Sequence, residues 1–211
     1  MRKIFLDCGS YDGCSVRKFT DLYDPQKEFE YFSFEGNPHL FKYHPVHERC
    51  TFIPNIVSDS EEEKTFYVHG TTGGSTTSEV KNKRYRQKYH HVRFGDAHKL
   101  TYNPIVLWRF IKENFSKDDH IVLKLDVEGE EYRILESLIE NDCLNYINNI
   151  YIEWHGKGRT DYSDPKSFEV SFKKTCDQNG IAIDSSWDAL HPPYMKERNN
   201  TEADKYKPIK F

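Results

Sequence analysis

Ile4-Phe5-Leu6-Asp7-Cys8-Gly9-Ser10-Tyr11-Asp12-Gly13 decides the fold. A short apolar run ends in Asp7, and Gly9 and Gly13 then open a turn into a helical stretch. The next apolar run, Tyr31-Phe32-Ser33-Phe34-Glu35-Gly36-Asn37, also closes on an acid. A glycine turn after a first strand lets backbone amides at a helix N-terminus approach a ligand closely. An acid closing the second strand can accept hydrogen bonds from both hydroxyls of a ribose. Together they point to a site for a nucleoside-bearing cofactor.

Outward from that start, strands and helices alternate, which predicts a parallel sheet covered on both faces. Strands are expected at 3–8, about 30–35, about 51–57, 64–68, 92–94, within 121–129, 150–155 and 181–183, with Ser186-Trp187 as a further candidate. Val16, Phe19 and Tyr23 mark the first helix, which Asp24-Pro25 stops. Asn37-Pro38 is expected to start a short helix, and Asn103-Pro104 to cap one carrying Leu107, Phe110 and Ile111. A helix at about 165–179 should end at Gly180. The fold class predicted is α/β, a class I Rossmann-like fold with a mostly parallel seven-stranded sheet.

The 211 residues are most simply one domain, 1–211, and a strand beginning almost at Met1 suggests a minimal unit cut from a larger multidomain protein. A net charge of −4 argues against a generic polyanion binder. Five cysteines without a Cys-x-x-Cys pair fit a reducing compartment, so a cytoplasmic location is expected. No stretch is long and apolar enough to read as a transmembrane segment.

In open parallel sheets the ligand lies beyond the carboxyl ends of the strands. Four ends here are polar: Asp7; Glu35; Asp126 with Glu128; and Glu153 with His155. His155 is the best single general base, because imidazole titrates near neutrality. Asp126 or Glu153 could orient it or act as base themselves. Alternatively Asp126 and Glu153 could ligate Mg²⁺ or Ca²⁺, which prefer oxygen ligands.

Asp-x-Gly-x-x-x-Gly is looser than the dinucleotide fingerprint, and S-adenosylmethionine (SAM) enzymes often use it. Phe5-Leu6-Asp7-Cys8-Gly9-Ser10-Tyr11-Asp12-Gly13, Phe34-Glu35-Gly36-Asn37-Pro38, Asn55-Ile56-Val57-Ser58-Asp59 and Lys124-Leu125-Asp126-Val127-Glu128-Gly129-Glu130-Glu131 resemble the FkbM family of SAM-dependent O-methyltransferases. Ile152-Glu153-Trp154-His155 fits as well, so the resemblance runs from about residue 3 to 155. It implies methylation of hydroxyls, commonly on sugars or glycosylated natural products. It implies that Gly9 and Gly13 bracket the methionine part of SAM, with Asp7, Ser10 and Tyr11 in the same turn. Tyr11 stands where many members have Asn. Glu35 would hold the ribose, beside Gly36 and Asn37. The segment Ile56 to Ser58 would flank the adenine, and Asp126 and Glu128 would complete the cofactor shell. The catalytic set is then His155, Asp126 and Glu153.

Residues 69–91 and the C-terminal tail find no clear match in that resemblance, and they are the parts expected to choose the acceptor. Gly70 to Ser78 is a small-residue loop, followed by the basic, tyrosine-rich run 81–91. That run is either a solvated face or a mobile lid over an acidic or glycan acceptor, with Arg84, Tyr85, Arg86 and His155 as acceptor contacts. His90-His91 reads as loop surface. His191-Pro192-Pro193-Tyr194 lies too late in the chain to be the catalytic motif of amino-methyltransferases.

The reading that results is an O-methyltransferase using SAM on a sugar or glycan hydroxyl, fused to or working with a glycosyltransferase. The rivals are an RNA methyltransferase gripping phosphates with 81–91, and a non-catalytic nucleotide-binding module. A dehydrogenase lacks its third glycine.

Overall fold

The computed structural model describes residues 1–44, 48–69, 74–88 and 98–185. The expected strand at 92–94, the second candidate Ser186-Trp187, His90-His91 and His191 to Tyr194 lie outside them. So do the side chains of Tyr85 and Arg86.

In chain order the elements are β1 (Lys3–Cys8), α1 (Cys14–Tyr23), β2 (Phe29–Phe34), β3 (Cys50–Ile53), β4 (Val57–Ser58), β5 (Lys64–Val68) and α2 (Glu79–Lys88). Then come β6 (His98–Tyr102), β7 (Ile105–Val106), α3 (Leu107–Asn114), β8 (His120–Leu125), α4 (Glu131–Glu140), β9 (Ile147–Ile152), α5 (Pro165–Gln178) and β10 (Ala182–Asp184).

The main sheet has six strands in the order β3-β2-β1-β8-β9-β10, all parallel. This is the expected α/β class with one strand fewer than the seven predicted, among the described residues. Side-chain alternation divides the core between the two faces. Ile4, Leu6 and Cys8 pack with Leu123 and Leu125 against Leu107 and Ile111 of α3, Leu135 and Leu138 of α4, and Phe172 of α5. Phe5 and Val122 face the other way, onto Val16 and Phe19 of α1. Phe5 stacks on Phe19 at 4.1 Å between ring centroids.

Register sets the site. Cys8 pairs with both Phe34 and Leu125, Phe34 with Ile53, and Leu125 with Ile152. The strands therefore end level, and Gly9, Glu35, Asp126 and Glu153 are each one residue past the same edge.

Three local expectations are corrected. The strand expected at 51–57 is cut by Pro54, which has no N–H to donate to a ladder. Only Cys50–Ile53 joins the sheet, while Val57–Ser58 pairs with Ile105–Val106. That pairing also takes the residues after Asn103-Pro104, so α3 starts at Leu107 with Val106 as its N-cap. Between Asn37 and His44 the chain forms a 3₁₀ turn at Phe41–Tyr43 in place of the short helix expected. Here the Asn37 side chain accepts the His39 amide and its carbonyl accepts that of Leu40, a local turn that competes with a longer helix.

The end of α5 follows expectation, with Gly180 at φ +69° just beyond it. The basic run, in contrast, is helical where described, as α2.

Candidate functional site

The site begins with backbone that only glycine allows. Gly9 has φ +79°, and a Cβ there would lie 1.7 Å from the Asp126 carbonyl oxygen. The turn after β1 is thus pressed against the end of β8. The amides of Gly9 and Ser10 donate to the Phe34 carbonyl at 3.1 and 2.9 Å, which ties the turn to β2 as well. Ser10 is fully buried, and its hydroxyl donates to the same carbonyl at 3.1 Å. Tyr11 adopts φ +55°, which costs energy for a non-glycine residue. In return its amide faces Glu35. Gly13, at φ +79°, opens α1, and the Asp12 carboxylate accepts the Cys14 amide there.

Glu35 is buried and accepts the Tyr11 amide at 2.8 Å on one oxygen and the Asn37 amide at 2.7 Å on the other. Each oxygen retains a lone pair for a further donor. Burial pushes this carboxyl up to about 7, and the two amides only partly oppose that. A Cβ on Gly36 would stand 2.3 Å from Ile56 Cγ2, so glycine lets the Ile56 side chain close down beside the acid. Tyr102 donates its hydroxyl to the Gly36 carbonyl at 2.5 Å. The cavity at this end is lined by Glu35, Leu40, Ile56, Val57 and Phe66, an apolar slot with one charged acceptor at its mouth.

Along the edge, the same cavity reaches Asp126, Glu128 and Glu153. The turn between β8 and α4 is strained, with Glu128 at φ +61° and Gly129 at φ +124°. Its brace is Glu131, a fully buried carboxylate that accepts the Val127 amide at 2.9 Å and the Gly129 amide at 3.1 Å. His155 lies behind this turn, also buried. Its Nδ1 is 2.9 Å from Glu131, and its Nε2 is 2.9 Å from Glu128 and 3.6 Å from Glu153. Both ring nitrogens are therefore engaged. Glu153 is 46% exposed at its side chain and opens on the cavity. Burial and then repulsion by Asp126 raise its carboxyl above the ordinary range.

Two buried lysines flank the acids. Lys124, 1% exposed, donates to the Gly9 carbonyl at 2.6 Å and lies 3.4 Å from both Asp7 and Asp126. Burial opposes its charge, yet Asp126 and Asp7 hold its amine above the ordinary lysine value. Lys81, from α2, makes an ion pair with Glu128. Burial, reinforced by the nearby Arg159 charge, pushes its amine down to about 8 against the pull of Glu131 and Asp126.

Gly9, Tyr11, Glu35, Gly36, Ile56, Asp126, Glu128 and Glu153 thus meet around one cavity. Other sequence candidates are placed elsewhere. Asp7 is fully buried against Lys124. Asn37 supplies an amide to Glu35, and its side chain reaches Ser75 at 3.2 Å. Ser58 is buried and donates to Asp59. His155 stands behind the cavity wall, and Arg84 is an exposed residue of α2. Sequence reasoning assigned no role to Glu131, Lys124 or Lys81. The signal for Lys124 was a charge inside a buried strand, which demands partners.

Asp126, Glu131 and His155 each offer a ligand atom within 4.8 Å of the others. Glu131 and His155 already satisfy each other and the turn amides, so this trio fits a brace better than a cation site. Asp126 and Glu153, the pair expected for Mg²⁺ or Ca²⁺, both face the cavity with hard oxygen donors suited to such an ion.

No helix among the described residues is long and apolar enough to cross a membrane. In comparison with known proteins, the family model described as the methyltransferase FkbM domain matches residues 7–173. No curated protein and no solved structure matches the chain.

Proposed function

Because the chain belongs to the FkbM methyltransferase family, we propose that it transfers a methyl group from SAM to a hydroxyl of a sugar or glycan. The observation that carries this is the level strand edge, with a ribose-type acceptor in Glu35 at one end and a raised carboxyl in Glu153 at the other.

The cradle fits the cofactor. Glu35 would hold the ribose, with a lone pair left on each oxygen for its hydroxyls. Leu40, Ile56 and Phe66 would hold the adenine, and Gly9 and Asp126 would flank the amino-acid end. When bound, SAM would supply an electrophilic methyl carbon on a sulfonium, with a neutral thioether as leaving group.

The chain's own work is alignment and proton removal. Glu153 takes the acceptor's hydroxyl proton as the oxygen–carbon bond forms and the carbon–sulfur bond breaks. Burial and then repulsion by Asp126 keep the Glu153 carboxyl basic. His155, held by Glu131 and Glu128, backs Glu153 as a positioning residue. If a divalent cation is used, Asp126 and Glu153 would hold it and it would polarise the acceptor oxygen. A cytoplasmic enzyme acting beside a glycosyltransferase is in keeping with free thiols and a carbohydrate acceptor.

The test is incubation with methyl-labelled SAM and a panel of free sugars, glycans and RNA, with and without EDTA. Label should enter sugar hydroxyls. Transfer to RNA alone, or SAM binding without any transfer, sinks this reading. Loss with EDTA and recovery with Mg²⁺ would put the cation on the Asp126–Glu153 pair.

A further inference from the structure

Two segments far apart in sequence are fastened to the same strained turn. On one side, Thr76 donates its hydroxyl to the Glu128 carbonyl at 2.5 Å, and Lys81 pairs with the Glu128 carboxylate. The Ser78 Cβ lies 3.2 Å from where a Gly129 Cβ would be. On the other side, Thr160 donates to the Gly129 carbonyl at 2.6 Å, and the Arg159 carbonyl comes within 2.5 Å of that same missing Cβ. The turn thus anchors both α2 and the 156–160 segment beside the acids of the cleft.

What these segments carry outward is positive charge. Arg84 stands one helical turn after Lys81, on the same side of α2. Its guanidinium comes within 3.1 Å of the position a Cβ on Gly158 would take, so it lies over the loop that bears Lys157 and Arg159. Arg84, Lys157 and Arg159 are all exposed, and none has an acidic partner among the described residues. The nearby acids have other partners: Glu79 faces Lys83 and Tyr67, Asp161 accepts the Val80 amide, and Glu169, beside Gly156, accepts the Tyr132 hydroxyl. On a chain with net charge −4, these two segments bring three cations without an ion-pair partner among the described residues to one place.

Resting on the methyltransferase reading above, we infer that Arg84, Lys157 and Arg159 form a subsite for an oxyanion on the acceptor, so that the preferred substrate is an acidic sugar. Guanidinium groups present planar forks of N–H donors that match a carboxylate or phosphate. The anion docks on this rim while the sugar ring extends past Glu128 towards Glu153, which receives the hydroxyl proton. The acids at 126, 128 and 153 would repel the same anion if it entered reversed, so charge fixes the orientation as well as the affinity.

The experiment uses the full chain loaded with S-adenosylhomocysteine, titrated calorimetrically with glucose, glucuronate and glucose 6-phosphate. Both acidic sugars should bind about tenfold or more tightly than glucose, with the advantage shrinking in high salt. The two arms report whether carboxylate or phosphate is favoured. Arg84→Gln with Arg159→Gln should remove the advantage and leave S-adenosylhomocysteine affinity and the melting temperature unchanged. Equal binding of all three sugars, no binding of either acid, or an unchanged preference in the variant overturns the subsite. Competition by an RNA oligomer that outranks both acidic sugars and depends on the same arginines also overturns it, in favour of a nucleic-acid acceptor. Acid-sugar binding without methyl transfer to any hydroxyl would leave the subsite standing and sink the methyltransferase reading instead.

Discussion

At the Glu35 end of the cleft the acid takes its hydrogen bonds from the amides of Tyr11 and Asn37, neighbours of the turns that the sequence displays outright. At the Glu128 end the acid meets Lys81 and His155, side chains delivered from α2 and from beyond β9. The first end is backbone fixed by glycines. The second is a charge network fixed by packing. The contrast teaches that changes at the Glu35 end should act on cofactor affinity and stability together, whereas changes at the Glu153 end should act on turnover.

The strongest challenge to that division is Glu153→Gln. It should lower kcat by roughly 10²–10⁴, the range for a general base, with SAM affinity near that of the parent. His155→Ala should lower kcat less than Glu153→Gln does. Stopped-time methyl-transfer assays beside calorimetry read both quantities, and a SAM affinity that collapses with kcat would erase the distinction. Gly9→Ala comes next. Its Cβ meets the Asp126 carbonyl and its φ is positive, so unfolding free energy should drop by about 3 kcal/mol or more, and SAM binding with it. A denaturant melt within experimental error of the parent would show that β8 can yield.

Glu35→Ala should weaken SAM binding by about 1.5–3 kcal/mol, as expected for a charged hydrogen-bond acceptor. Glu35 also gives the comparison a pH test. Its folded carboxyl is raised from 4.5 to about 7, so the native state holds a proton that the unfolded state has lost. The contribution of Glu35 to the stability of the apo protein should therefore fall as pH rises from 4.5 to 7, while SAM affinity improves towards and above 7. Glu35→Gln should flatten both slopes. The smallest effect expected is for Tyr102→Phe, which removes one hydrogen bond to the Gly36 carbonyl. About 0.5–1.5 kcal/mol of stability should go, with a slight loss of SAM affinity and no change in kcat at saturation.

The Glu35 end was legible in the sequence because its chemistry is local: a strand, a glycine, an acid at a fixed distance. The acids at 126 and 153 were legible too, because parallel strands in register deliver their next residues to one edge. The partners of those acids were not. Lys81 is one of several cations in a basic run, and nothing in that run tells which one is buried. Glu131 is one of three acids between 128 and 131, and only the φ values of Glu128 and Gly129 turn it back under the loop. Lys124 hid in an apolar run that reads as a strand with or without it. The split of the third strand was written in Pro54, whose missing N–H outweighs the β-branched residues around it.

Pro54 has a consequence at the level of many molecules. β3 is the outer strand of the sheet, four residues long, and the chain turns away from it at the proline. An exposed outer strand is a template on which a second chain can add its own backbone. A template this short, stopped by a residue that cannot extend the ladder, gives an incoming strand few places to bond. The same proline that reshapes the cleft wall by sending Val57 to Ile105 therefore helps crowded copies stay apart.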